Sequence, residues 1–199
     1  MKKVLFATSN GSKVNRFKDK LLKKGIEIIS LNDLDKKVDV KEEGKTCIDN
    51  ALIKARAYSK IVDIPIFAMD DSLYIEGLPE DLQPGLMVRR VGGKTLTDEE
   101  MIDYYSNLAR IYGKDGKLTS RWVYGIAIIK NNEEFTYTFS KEDFYIVETP
   151  SDKVNKGYPL NSISINKKLN KYFTDLTEED MKIIKEDESD VIEFLANNL

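Results

Sequence analysis

Apolar residues fall into alternating strand-like and helix-like stretches along this chain. Val4 to Ala7 form a short, unbroken apolar run, and residues 3–7 read as a buried strand. The run stops at Thr8-Ser9-Asn10-Gly11-Ser12-Lys13. Val14, Phe17, Leu21 and Leu22 then recur at helical spacing, and Gly25 supplies a stop, which predicts a helix over 13–24. Residues 26–31 read as a second strand and 32–45 as a polar loop. Ile48, Ala51, Leu52, Ala55, Ser59 and Val62 make a helical stripe of mostly small residues, suited to close packing on a sheet. Pro65 opens a strand over 66–69 that ends at Asp70-Asp71-Ser72, and the Gly- and Pro-rich stretch 77–95 reads as a long excursion. Thr97 and Glu100 have capping-box spacing for a helix reaching Tyr112. Residues 122–129 and 135–147 read as two long strands of a hairpin around Asn131-Asn132. Residues 149–171 are irregular, and Thr177-Glu178-Glu179-Asp180 begins a final helix.

This order of elements argues for an α/β fold: a mixed β-sheet flanked by helices, in one domain over residues 1–199. The hairpin is expected to project as a second lobe, with a central cleft between the two lobes as the place for a ligand.

Composition narrows the chemistry. Lys and Arg number 31 against 34 Asp and Glu, a formal net charge of -3, and no Lys/Arg-rich block suggests a nucleic-acid partner. A single cysteine, Cys47, rules out an internal disulfide and suits a reducing compartment. Histidine is absent, which excludes Ser-His-Asp chemistry, histidine metal sites and histidine general bases. Catalysis must then use carboxylates, lysines, hydroxyls or a hard cation. The amino-terminal run is too short for a signal peptide, and no apolar run is as long as a membrane span. The expectation is a cytoplasmic protein with no membrane partner.

Three polar clusters could carry that chemistry. The first is the loop from Thr8 to Lys13. A strand that breaks into small polar residues before a helix offers backbone N–H groups and the positive end of a helix dipole, and Lys13 adds a full charge. The same residues serve equally well as a plain cap, with Asn10 or Ser12 closing the helix. The second is Glu42-Glu43-Gly44, where Gly44 allows a tight turn, followed by Lys54 on the next helix; a solvated acidic face accounts for it too. The third is Asp70-Asp71-Ser72 at a strand end, where α/β proteins place their ligands. Burying two carboxylates is costly, and a divalent cation would relieve the cost. An all-oxygen donor set makes magnesium the natural ion. A turn capped by Asp71 is the alternative.

Taken together, ATSNGSK, EEGKTCIDNALIKARAYSK, MDDS and PGLMVRRVGG, in that order and spacing, resemble the inosine triphosphate pyrophosphatase family through about the first half of the chain. Members hydrolyse non-standard purine nucleoside triphosphates to the monophosphate and pyrophosphate. The resemblance implies Mg2+ as cofactor, a nucleoside triphosphate as substrate, and a homodimer. It gives Thr8, Ser9, Asn10 and Lys13 to the triphosphate loop, Lys54 to the phosphates, and Glu42 and Asp71 to the metal. Asp71, with Asp70 beside it, is the catalytic carboxylate together with Lys13. Ser72 and Arg90 would contact substrate, and Tyr158 is the aromatic offered to the base.

The chain departs from the family pattern in four places, one of them Val88-Arg89, where the family has Ser-Ala. The glycine expected after Asp70-Asp71-Ser72 is missing, so Leu73 follows directly, an apparent deletion expected to alter a turn beside the metal site. Lys156-Gly157-Tyr158-Pro159-Leu160-Asn161 lacks the family's leading aromatic and its aspartate. Lys185-Glu186-Asp187-Glu188 is acidic where the family carries a basic Ser-His-Arg. The expectation is preserved phosphate chemistry with altered base specificity. The alternative is a nucleotide-binding or regulatory protein that kept the fold and lost turnover.

Overall fold

The computed structural model of the chain describes residues 1–36, 38–184 and 188–199. The strands are β1 (Lys2–Phe6), β2 (Ile26–Ser30), β3 (Ile66–Ile75), β4 (Arg90–Val91), β5 (Lys94–Thr95), β6 (Lys117–Lys130), β7 (Glu133–Val147) and β8 (Ser164–Asn166). The helices are α1 (Gly11–Leu22), α2 (Cys47–Ser59), α3 (Asp98–Tyr112), α4 (Glu178–Ile184) and α5 (Ser189–Asn198). Six strands are hydrogen-bonded in the order β2-β1-β3-β6-β7-β8. β1 runs parallel to both β2 and β3, and β7 is antiparallel to β8, so the sheet is mixed, as the element order predicts. Asn131 and Asn132 both have positive φ, 52° and 66°, the geometry of a two-residue primed turn, and they join β6 to β7 as a hairpin.

Beyond shifts of a few residues at other element ends, and the short strands β4, β5 and β8 inside the stretches 77–95 and 149–171 that the sequence leaves without regular structure, three boundaries differ from the sequence reading. β6 begins at Lys117, five residues before the expected start. The closing helix is two helices, α4 and α5; of the acidic stretch Lys185-Glu186-Asp187-Glu188, residues 185–187 lie outside the described residues. The third correction matters most. Asp70, Asp71 and Ser72 lie inside β3, which continues without a break to Ile75. No glycine is present to open a turn, and Leu73 and Ile75 continue the apolar alternation and are fully buried, which overrides the poor strand propensity of aspartate.

The chain divides into two compact units. The first comprises the described residues of 1–71, 124–139 and 187–199. Its core has two layers, set by alternation along the strands. Val4, Phe6, Phe67, Met69, Ile126 and Ile128 meet Phe17 and Leu21 of α1 and Val191, Ile192 and Leu195 of α5. Phe6 and Phe67 stack at 4.2 Å between centroids, with Phe17 edge-on to both. The opposite set, Leu5, Ala7, Ile66, Ala68, Ala127 and Ile129, meets Ala51, Ala55 and Tyr58 of α2. A Cβ on Gly125 would come within 2.6 Å of the Ile48 backbone nitrogen, so the missing side chain lets β6 approach the start of α2. On the α1–α5 side, the buried Glu188 carboxylate accepts from Arg16 and Lys20 at 2.6 Å each.

The second unit comprises the described residues of 72–123 and 140–186. Here Met101, Tyr105, Leu108 and Ala109 of α3 pack with Leu73, Ile75, Phe144, Ile146, Leu160 and Ile163. Tyr105 is fully buried, and its hydroxyl donates to the Val88 carbonyl at 2.8 Å. Along α3, Tyr105 is therefore core, while Ile111 and Tyr112 are exposed. Trp122 packs against this same core, and Tyr124 packs in the first unit, stacked on Phe139 at 4.7 Å.

Candidate functional site

The parallel strands bring the first and third polar clusters together. β1 and β3 pair at Leu5↔Ile66 and Phe6↔Phe67, so Asp70 and Asp71 follow just beyond the point where β1 gives way to its loop. This is the carboxyl end of β1, beside the middle of the longer β3, and strand carboxyl ends are the usual ligand position in an α/β sheet. The loop from Thr8 leads directly into α1. Asn10 is its N-cap, and its side chain accepts from the Ser12 and Lys13 backbone nitrogens, so the capping reading of this loop holds for Asn10. Thr8 Oγ1 accepts from Asn10 N at 3.2 Å, and the Ser9 carbonyl accepts from Asn32 at 3.0 Å. Lys13, in the first turn of α1, extends its ammonium to Asp71 in a direct ion pair.

Alternation along β3 decides what each aspartate meets. Phe67 and Met69 face α1, and so does Asp71. Ile66 and Ala68 face α2, and so does Asp70. Asp70 accepts from Asn50 Nδ2 at 2.9 Å, and Lys54 Nζ lies 3.9 Å from Asp70 and 3.3 Å from Glu42. The candidate residues thus form two groups: Lys13 with Asp71, and Lys54 with Glu42 and Asp70. The resemblance pairs Glu42 with Asp71 as metal ligands; here it is Asp70 that shares a lysine with Glu42.

Electrostatics mark Asp70. Burial pushes its carboxyl above the usual range, and neighbouring Asp71 adds to the rise. Lys54, the Asn50 amide and Lys13 pull the other way without cancelling the burial effect.

The donor set Glu42, Asp70 and Asp71 is all oxygen, which suits a small hard cation. Among the described residues, however, no three His, Cys, Asp or Glu side chains converge tightly enough to enclose an ion.

The remaining predicted contacts belong to the second unit. Ser72 is buried, with its hydroxyl 3.5 Å from the Val123 carbonyl. Arg90 is exposed on the short strand β4, while its neighbour Arg89 is tied to Asp98 at 2.8 Å. Tyr158 is half-buried, just before Pro159.

The sequence reading missed Asn50. A buried asparagine inside a helix is a signal, because the residue is a poor helix former and needs partners for four hydrogen bonds. Gly44 also has a different reason from the expected tight turn: a Cβ there would meet Asn50 Oδ1 at 2.6 Å.

A family model described as the Ham1 family matches residues 4–186. The chain is 30% identical over 163 residues to a dITP/XTP pyrophosphatase of Geobacillus kaustophilus, covering 79% of this chain and 76% of that protein. It is 29% identical over 180 residues to the Bacillus subtilis dITP/XTP pyrophosphatase, covering 90% and 88%. The fold matches the Ham1 protein of Staphylococcus aureus with a TM-score of 0.74 at 22% identity, over 100% of both chains. It matches a HAM1 protein from Coxiella burnetii with a TM-score of 0.74 at 23% identity, over 99% of this chain and 98% of that one.

Proposed function

Because this chain belongs to the Ham1 family, we propose that it is a nucleoside triphosphate pyrophosphatase that splits the α–β phosphoanhydride bond with the help of a divalent ion. One observation carries the reading. Two lysines, Lys13 with Asp71 and Lys54 with Glu42 and Asp70, stand on opposite faces of β3 beside the carboxyl end of the parallel strand β1.

A triphosphate competes directly for those lysines. Lys13 exchanges Asp71 for phosphate oxygens, and Lys54 exchanges Glu42 and Asp70, so binding the anion frees the carboxylates. Glu42 and Asp71, with Asp70 on the Glu42 side, are the oxygens that would hold the ion; when bound, it neutralises charge on the phosphate oxygens. Asp71, once released, accepts a proton from a water aimed at the α-phosphorus. The water oxygen bonds to phosphorus, the bond to the bridging oxygen breaks, and pyrophosphate leaves with its charge met by Lys13 and Lys54. The products are a nucleoside monophosphate and pyrophosphate.

Base choice is the second part of the proposal. The segments where the family reads the base are rewritten at Lys156-Gly157-Tyr158-Pro159-Leu160-Asn161 and at Lys185-Glu186-Asp187-Glu188. Changing donors and acceptors around a base shifts preference strongly, so specificity has moved away from inosine and xanthosine triphosphates. Pyrophosphate release across a panel of purine and pyrimidine triphosphates, with and without Mg2+, tests both parts. Metal-dependent release with a different best base is expected; inosine triphosphate preferred by a wide margin ends the specificity claim.

The uninterrupted β3 favours one rival reading, a nucleotide-binding protein without turnover, because it separates Asp70 from Asp71. Tight binding of a triphosphate with no pyrophosphate released under any metal would select it. A homodimer, implied by the family resemblance, belongs to the pyrophosphatase reading, and sedimentation velocity tests it: a dimer is expected, and a monomer ends that part of the proposal.

A further inference from the structure

The loop that carries Glu42 is pinned to the first turn of α2 by three consecutive backbone donors. Lys45 N and Thr46 N donate to Asp49 Oδ2 at 3.1 and 3.0 Å, which is capping-box chemistry and goes no further. Gly44 N donates instead to Asn50 Oδ1 at 2.8 Å, and the other end of that amide, Nδ2, donates to Asp70 Oδ2 at 2.9 Å. Asn50 is only 4% exposed. Chemistry fixes which way the amide points, since an N–H needs an acceptor and a carboxylate needs a donor. The loop also fits only because residue 44 lacks a side chain: a Cβ there would fall 2.6 Å from Asn50 Oδ1 and 2.8 Å from Asn50 N.

We propose that Asn50 is a positioning residue of the active site, clamping the Glu42 loop and the Asp70 carboxylate to each other through the two ends of one side-chain amide. The inference rests on the function proposed above and deepens it. Asn50 acts here through Gly44 and Asp70 rather than on the reacting atoms. It sets the separation of two oxygen donors that come from different parts of the chain, one from a loop and one from a strand. Lys54 attracts both carboxylates but does not fix their spacing, because a flexible ammonium has no preferred direction. A planar amide hydrogen-bonded at both ends does. Shifts of about 1 Å in such geometry cost on the order of 10²-fold in rate, and loss of an outer partner of a metal ligand weakens metal binding by about 10- to 100-fold.

Two variants attack the same contact from opposite sides. Asn50→Asp keeps the shape but sets a carboxylate against Asp70, and Gly44→Ala pushes the loop off the amide. The full-length chain and both variants are compared for thermal midpoint, for kcat and KM on the best triphosphate of the panel, and for Mn2+ binding without nucleotide by electron paramagnetic resonance. The expected result, well below each midpoint, is kcat lower by about 10²-fold, KM within about threefold and Mn2+ affinity lower by about 10- to 100-fold. A folded variant whose kcat and Mn2+ affinity stay close to the parent's overturns the proposal. If Asn50→Asp does not fold, Gly44→Ala decides alone. A parent that binds Mn2+ but turns over no triphosphate ends the proposed function, and the Mn2+ comparison still judges Asn50. A parent that does neither overturns both.

Discussion

Asp70 in the first unit and Asp180 in the second are both well-covered carboxylates beside a lysine, yet they are shifted in opposite directions. Asp180 accepts from Thr177 N and Oγ1 at 3.0 Å and from Lys171 at 2.9 Å on both oxygens, and its carboxyl is drawn down to about 2, chiefly by the Thr177 backbone hydrogen bond. Asp70 has one amide donor and a lysine 3.9 Å away, and burial pushes it up. The difference is one of satisfaction. The helix-capping carboxylate is fully served by the fold. The carboxylate on β3 is left short of positive charge, the condition in which an added cation or a rearranged lysine lowers the free energy most.

The comparison can be pressed by substitution, beginning with the largest effect. Asp71→Asn removes the proton acceptor and its ion pair with Lys13; kcat is expected to fall by on the order of 10²–10⁴-fold while triphosphate binding persists. Rates within tenfold of the parent would show that Asp71 is not the base. Asp70→Asn should be milder, because Asn50 can still donate to the new amide oxygen. A loss of about 10- to 100-fold, with an unchanged or slightly raised thermal midpoint, is expected, since removing a carboxylate that burial disfavours costs the fold nothing. A clear drop in midpoint would mean that Asp70 is as well satisfied as Asp180.

Asp180→Asn should leave kcat and KM untouched and lower stability at neutral pH. The sign follows from the shift. The folded carboxyl titrates near 2, below its ordinary 3.8, so its contribution is fully present above 3.8 and is lost as pH falls toward 2. In urea melts, the gap between parent and Asp180→Asn should be widest at pH 7 and should narrow below pH 4. A gap that stays constant with pH would assign the effect to lost packing. Last, Asn10→Ala should cost about 1 kcal/mol through loss of the α1 cap, with KM for the triphosphate rising more than kcat falls. An unchanged KM would reduce the loop to a cap alone.

Much of this was legible from residue order. The small-residue stripe of α2, the Asn131-Asn132 turn, the Thr97 capping box and the β1–α1 break all follow from local pattern, because each depends on neighbours within a few positions. The four chemical residues Lys13, Glu42, Lys54 and Asp71 stood out for the same reason: charges beside strand ends and helix starts are conspicuous. The path of β3 was not legible. Two aspartates in a row look like a turn, and only the burial of Leu73 and Ile75 in the second unit's core carries the strand past them. Asn50 escaped for a related reason. Its meaning lies in Gly44 and Asp70, six and twenty positions away.

The sequence alone thus determined the fold class, the capped start of α1 and the set of titratable groups available without histidine, since composition and short-range periodicity bear on each directly. Tertiary structure alone decided the partnerships. A strand sends successive side chains to opposite faces, so adjacent Asp70 and Asp71 were divided between α2 and α1. Glu42 and Asp70, far apart in the chain, were brought to one lysine. Which carboxylate answers to which cation depends on register and face, and those are fixed only when the strands pair.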